Sequence, residues 1–315
     1  MIEQRVTIVE VGPRDGLQNE SVQVPTEAKV AFIDALTAAG LRHIEVTAFV
    51  NPKRIPQLAD AEEVCKRITR RPGTVYSALV PNERGYERAR EGDLSNIAVF
   101  MSASETHNMR NIGCSIAEAY DRFAPVLERA RADGVDVRGY VSTAFGCPYE
   151  GFVPPERVVE VSRTLLDLGC YQVSLGDTTG MGNPAQVART VEKLREHAEP
   201  ERIALHLHDT RGTALANALA GYQAGVRTFD ASAGGFGGCP YAPGATGNAA
   251  TDELVYMFEE MGVATGVDLE ALLRAAESIA GALGAPAPSR YLKATRATQA
   301  RVASERNDLA AGADA

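Results

Sequence analysis

The chain has 315 residues, 32 Lys+Arg against 41 Asp+Glu, and a formal net charge of −9. No apolar run reaches the ~18 residues of a membrane helix, which excludes that class. The acidic balance argues against nucleic acid as a partner, because phosphate binding needs a basic face. Hydrophobic residues make up 45% and charged residues 23%, the values of an ordinary globular protein with a large core.

From the N-terminus, MIEQRVTIVEVG carries no basic-then-apolar leader and reads straight into a strand, so a cytoplasmic location is expected. Strands are predicted at Val6–Val11, His43–Thr47, Thr74–Val80, Asn96–Ser102, Val135–Ser142, Tyr171–Leu175, Arg202–Leu207 and Arg227–Ser232. Several are apolar on both faces, as parallel strands covered on both sides must be. Helices fit between them. Pro25–Gly40 places Val30, Ile33 and Leu36 on one side and ends at a glycine. Asn183-Pro184 is a helix start, and Thr251-Asp252-Glu253 reads as a cap followed by two acids, with Gly262 closing that helix. Eight strand–helix units without a linker predict one α/β domain, a (β/α)8 TIM barrel with additional C-terminal helices. The barrel and its helical extension are expected over 1–302 and a flexible tail over 303–315. An open doubly wound sheet is the alternative. It would want GxGxxG after the first strand, where the chain has Gly12-Pro13-Arg14-Asp15-Gly16.

Barrel active sites lie at the C-terminal ends of the strands, so those ends define the candidates. They carry Arg14 and Asp15, Glu45, Asp177, His206 and His208, and in the last loop Cys239 and Asn248. His206 and His208 stand at i and i+2, which in a strand aims both imidazoles the same way. In a chain with five histidines, that pair favours a shared divalent cation over a hydrogen-bonded core pair. Asp15 could add an oxygen ligand, and Arg14 could hold an anionic substrate oxygen; a structural Arg–Asp turn is the plain alternative. The glycine-rich loop Gly234–Gly244 surrounds Cys239 and allows close backbone approach to a ligand. The five cysteines are widely spaced with no CxxC pair, so reduced and mostly buried thiols are expected, with Cys114 and Cys170 packed, Cys147 structural and Cys65 in a helix.

Taken together, VEVGPRDGLQNE, IEVTAFVNPKRIPQLAD, VRGYVSTAFGCPYEG, VSLGDTTGMGNP, HLHDTRGTALAN and GGFGGCPYAPGATGNAATDELVYM resemble the 3-hydroxy-3-methylglutaryl-CoA lyase family. The likeness runs from about residue 5 to 280. It implies that Asp15, His206, His208 and Asn248 bind Mg²⁺ or Mn²⁺, which polarises the substrate's C3 oxygen. It further implies His206 or Asp177 as base, Arg14 against the thioester enolate, Cys239 as acid and Glu45 as the residue orienting Arg14 or a ligand. An acyl-CoA substrate, a homodimer and a place in leucine or terpenoid breakdown come with the resemblance. The departures are local. Ser232–Tyr241 reads SAGGFGGCPY where the family reads close to SVAGLGGCPY, and Gly284 and Pro286 stand where animal members carry Asn and Lys against CoA. These changes bear on the acyl chain, so lyases for another 3-hydroxy-3-alkylglutaryl-CoA or for citramalyl-CoA are alternatives. A Claisen-type synthase and a non-haem Fe(II) oxygenase are more distant ones; the latter would leave Arg14 and Cys239 without work.

Overall fold

The computed structural model describes residues 4–238 and 247–313, with side chains to residue 306. All eight expected strands form: β1 (Thr7–Glu10), β2 (His43–Ala48), β3 (Val75–Leu79), β4 (Asn96–Ser102), β5 (Asp136–Ser142), β6 (Gln172–Gly176), β7 (Ile203–His206) and β8 (Thr228–Ala231). Each pairs in parallel with the next, and β8 returns to β1 with Thr7 opposite Thr228 and Glu10 opposite Ala231. That last pairing closes the barrel and overturns the open-sheet alternative.

The helices are α1 (Thr26–Ala38), α2 (Ala61–Arg67), α3 (Glu83–Glu91), α4 (Glu105–Ile112), α5 (Ile116–Ala132), α6 (Pro155–Leu168), α7 (Pro184–Arg195), α8 (Ala214–Gln223), α9 (Thr251–Glu260), α10 (Leu269–Leu283) and α11 (Arg290–Ala313). Their ends follow local chemistry. Asn183 accepts from the Gln186 backbone while Gln186 reaches back, with Pro184 in the first turn of α7. Gly40 takes φ +98° just after α1, a conformation that costs other residues strain. At α9 the sequence expectation needs correcting: Ala250 is the cap residue, and Thr251 lies inside the first turn. Its hydroxyl is spent elsewhere, donating to Glu10 Oε2 at 2.7 Å. The position at which the tail was expected to begin falls within α11.

Outward-facing strand residues such as Ile44, Val99 and Leu175 meet Ile33, Phe123, Val187 and other helix side chains in one buried core. The barrel's inside is different. Glu45, Arg138, Tyr140, Ser174, Asp230 and His206 fill it, all buried. Burying such groups is costly unless each is paired, and here they pair with one another. Among the described residues, no helix is long and apolar enough to cross a membrane.

Candidate metal centre and active site

Directly after β1 the chain makes one π-helical turn, Gly12–Gly16. The Val11 carbonyl accepts from the backbone N–H groups of Arg14, Asp15 and Gly16 at 3.1, 2.7 and 3.2 Å. Side chains are excluded at both ends of this turn. A Cβ on Gly12 would stand 2.5 Å from Glu10 Oε1, and one on Gly16 2.8 Å from Ser232 Oγ. The tight turn aims Arg14 and Asp15 into the barrel mouth. Arg14 Nε donates to Glu45 on β2, its Nη1 donates to Asp15, and its guanidinium lies 5.6 Å from the Tyr140 ring centre. Burial alone would raise the Asp15 pKa, but Arg14 and the two imidazoles outweigh it and hold the carboxyl well below its usual range.

β7 ends at His206, and the alternation of the chain brings His208 to the same side. Their Nε2 atoms face each other at 3.2 Å, and Asp15 Oδ2 lies 3.7 Å from His206 Nε2. Ligand atoms of Asp15, His206 and His208 all fall within 4.8 Å of one another. Burial and the neighbouring His206 push His208 down to about 3, so it presents a neutral imidazole. Asn248 arrives from the far end of the last loop, bridged to His208. Its Nδ2 donates to Asp15 Oδ2 at 3.0 Å and to the Phe236 carbonyl at 3.2 Å, while its buried Oδ1 has no hydrogen-bond partner. A carboxylate, two imidazoles and an orphaned amide oxygen make a donor set that suits a divalent cation. The residues present therefore fit a divalent metal site.

Behind these groups runs a buried polar chain. Tyr140 donates to Glu45 Oε2 at 3.1 Å and accepts from Arg138 Nη1 at 3.1 Å. Arg138 grips Asp230 with two bonds of 3.0 and 2.6 Å, and Asp230 Oδ2 lies 3.4 Å from His206 Nδ1. Burial would raise Asp230, but Arg138 outweighs it and brings it down to about 2. Arg138, Tyr140 and Asp230 escaped the sequence reading. The available signal was a charged side chain inside an otherwise apolar strand, in VRGYV and TFDA.

The remaining expected residues take distinct places. Glu45 is fully buried under Arg14. Asp177 follows β6, with its carboxylate turned into its own loop, accepting from the Met181 and Gly182 backbone at 3.0 and 3.1 Å. Burial pushes it up to about 6 against those hydrogen bonds. Cys239 lies outside the described residues. Cys65, Cys114, Cys147 and Cys170 are buried free thiols, as expected.

Arg14, Asp15, Tyr140, Ser142, His206 and His208 are among the residues lining a cavity of about 490 Å³ at the C-terminal mouth. Val50, Ile55, Leu79, Phe100 and Ile112 add apolar lining, interspersed along the chain with polar Asn51, Arg54, Asn82 and His107. Neither Asp177 nor Asn248 forms part of this lining.

Comparison with known proteins points the same way. The HMGL-like family model matches residues 5–279. The crystal structure of the Bacillus subtilis HMG-CoA lyase is similar at 52% identity and TM-score 0.92, covering 93% of this chain and 98% of that one. The 3-hydroxy-3-isohexenylglutaryl-CoA/hydroxymethylglutaryl-CoA lyase of Pseudomonas aeruginosa is 48% identical over 291 residues, 92% of this chain and 97% of the relative. An HMG-CoA lyase structure from Acinetobacter baumannii, in complex with coenzyme A and 3-methylmalate, is 42% identical with TM-score 0.89, covering 93% of this chain and 96% of that one.

Proposed function

The chain belongs to the HMGL-like family, and from that premise we propose that it is a carbon–carbon lyase cleaving 3-hydroxy-3-methylglutaryl-CoA to acetyl-CoA and acetoacetate. The observation that carries this reading is the convergence of Asp15, His206 and His208 beside Arg14 in the lining of one cavity. With Asn248, these would hold a divalent cation, Mg²⁺ or Mn²⁺ in this proposal. When bound, it supplies the Lewis acidity that lowers the pKa of the substrate's C3 hydroxyl.

The chain's own residues do the rest. His206, which lines the cavity, takes the C3-hydroxyl proton in this proposal, whereas Asp177, the other candidate base, has its carboxylate turned into its own loop and would have to swing out of it to serve. The C2–C3 bond breaks, C3 becomes the ketone of acetoacetate, and the bonding pair passes to C2 as the thioester enolate. Arg14, held in place by Glu45, neutralises the charge growing on the enolate oxygen. Cys239 returns a proton to C2, which completes acetyl-CoA. Asp177→Asn tests that candidate base alone, because it leaves the proposed ligands in place; full activity in this variant leaves His206 as the base, and a large fall in kcat with Mn²⁺ binding unchanged favours Asp177. A homodimer and a cytoplasmic location belong to the same proposal; sedimentation equilibrium and cell fractionation test them.

A second reading concerns the acyl group. The cavity lining includes the apolar side chains of Val50, Ile55, Leu79, Phe100 and Ile112, and a similar Pseudomonas protein is named for a 3-isohexenyl substrate as well. A substrate with a longer apolar arm on C3 would find its contacts among those side chains.

The test is acetoacetate release from 3-hydroxy-3-methylglutaryl-CoA with Mg²⁺ or Mn²⁺. Turnover above about 1 s⁻¹ that EDTA abolishes is the expected result. A protein that binds the metal and releases nothing would overturn the methylglutaryl assignment, and release only from a longer 3-alkyl homologue would favour the second reading.

A further inference from the structure

Glu10, the last residue of β1, is fully buried and touches none of the proposed ligands. Its carboxylate accepts from three separate segments. Oε1 accepts the Gly12 N–H at 2.8 Å and the Ala233 N–H at 2.9 Å, and Oε2 accepts the Thr251 hydroxyl at 2.7 Å. Each segment leads to a site residue. Gly12 opens the turn that carries Arg14 and Asp15. Ala233 begins the last loop, on the way to Cys239. Thr251 follows that loop, three residues beyond Asn248.

Other bonds hold these segments in pairs. Ser232 and Thr251 also meet through backbone, with Ser232 N–H donating to Ala249 and Thr251 N–H to Ser232, both at 3.0 Å. Those bonds close the loop on itself but do not tie it to β1. Ties to that side include the Val11 N–H to the Ala231 carbonyl at 2.8 Å, Asn19 Nδ2 to the Gly238 carbonyl at 3.4 Å, the Asn248–Asp15 contact and Glu10, whose carboxylate alone among these reaches all three segments. The surroundings fit that carboxylate closely: a Cβ on Gly12 would collide with it, and the Thr251 hydroxyl, in the first turn of α9, bonds it. A buried carboxylate is costly, and burial pushes Glu10 up to about 7 even against its hydrogen bonds.

We propose that Glu10 is a positioning residue which fixes the Asp15 turn against both ends of the loop bearing Cys239 and Asn248, so that the two oxygen ligands meet the histidine pair in one geometry. The inference rests on the proposed metal site. Groups that orient ligands from behind are worth about 10–100-fold in metal affinity or activity.

The experiment measures Mn²⁺ binding by electron paramagnetic resonance, with kcat and KM, on the full chain and on Glu10→Gln, Thr251→Val and Thr251→Ser. Glu10→Gln keeps the shape and loses one acceptor oxygen; Thr251→Val loses only the contact at the loop's exit. Both are expected to raise the Mn²⁺ dissociation constant about 10–100-fold per folded molecule, and to lower kcat more than they raise KM. Thr251→Ser, which keeps the hydroxyl, restores wild-type binding. Variants that bind Mn²⁺ like the wild type, or that lose binding only in step with the folded fraction, overturn the role of Glu10. Should Glu10→Gln not fold, Thr251→Val against Thr251→Ser decides the matter alone. A wild-type protein that takes up no Mn²⁺ overturns the ligand assignment and this inference with it.

Discussion

Two buried arginines lie against the same Tyr140 ring inside the barrel, and they differ in what surrounds them. Arg138 spends its donors on protein: both Nη atoms hold Asp230, Nη1 also reaches Tyr140, and Nε donates to Gln172 at 2.9 Å. Arg14 is held by carboxylates too, Glu45 and Asp15, but its guanidinium also lines the cavity. The same ion-pair chemistry thus serves two ends. In the barrel's middle it closes on itself and satisfies buried charge. At the mouth it keeps a cation aimed at open space, where a substrate's charge would develop. What an arginine does here is decided by the neighbour on its free side rather than by the strength of its pair.

The largest effect that would break this comparison is a loss of stability at Arg138. Arg138→Met leaves Asp230 buried without its main partner, which is expected to cost about 3–5 kcal/mol. Urea unfolding measures it. Removing both charges, with Asp230→Leu added, is expected to recover most of the loss, because well-packed apolar groups replace buried ion pairs at little cost. No recovery would mean that Asp230 has work beyond balancing Arg138, and the 3.4 Å approach to His206 would then be the place to look.

Arg14 should show the opposite pattern. Arg14→Lys keeps the charge but loses the fork that bonds Glu45 and Asp15 together. Without a preorganised donor at the enolate oxygen, kcat is expected to fall about 10²–10³-fold, while the unfolding midpoint moves little. Steady-state kinetics beside thermal unfolding checks both halves. A variant that is active but unstable would make Arg14 a second Arg138.

This contrast was only half legible in the sequence. The strands were, because short runs apolar on both faces recur along the chain, and Asn96–Ser102 matches to the residue. Arg14 and the two histidines stood out because each sits at a strand end with a polar neighbour. Arg138 did not, since its partner is 92 residues away and its own strand looks like core. Glu10 was hidden for the same reason, with Thr251 241 residues distant. Asn248 stood among the polar groups of the last loop, but its role as a ligand came only from the family resemblance, because an asparagine in a glycine-rich segment has no local mark of metal binding. Closure of the barrel, too, depends on a pairing between the first strand and the last. Local pattern reports elements and strand ends; it cannot report which buried charge answers which.

The smallest effect is the most discriminating, and it belongs to Tyr140. Its ring lies between the two guanidiniums, 5.6 Å from Arg14 and 5.2 Å from Arg138, and its hydroxyl joins Glu45 to Arg138. Tyr140→Phe keeps the ring and removes that link, at an expected cost of about 1 kcal/mol in stability and less than about tenfold in kcat. The sharper quantity is coupling. If the two arginines are independent, the stability changes of Arg14→Lys and Arg138→Met add. If the Tyr140 hydroxyl connects them, the double variant departs from additivity by more than about 0.5 kcal/mol. That departure should vanish when the cycle is repeated on a Tyr140→Phe background. Coupling that survives the loss of the hydroxyl would have to travel through the ring contacts instead. Additivity in both backgrounds would show that the mouth and the middle of the barrel keep separate accounts of charge.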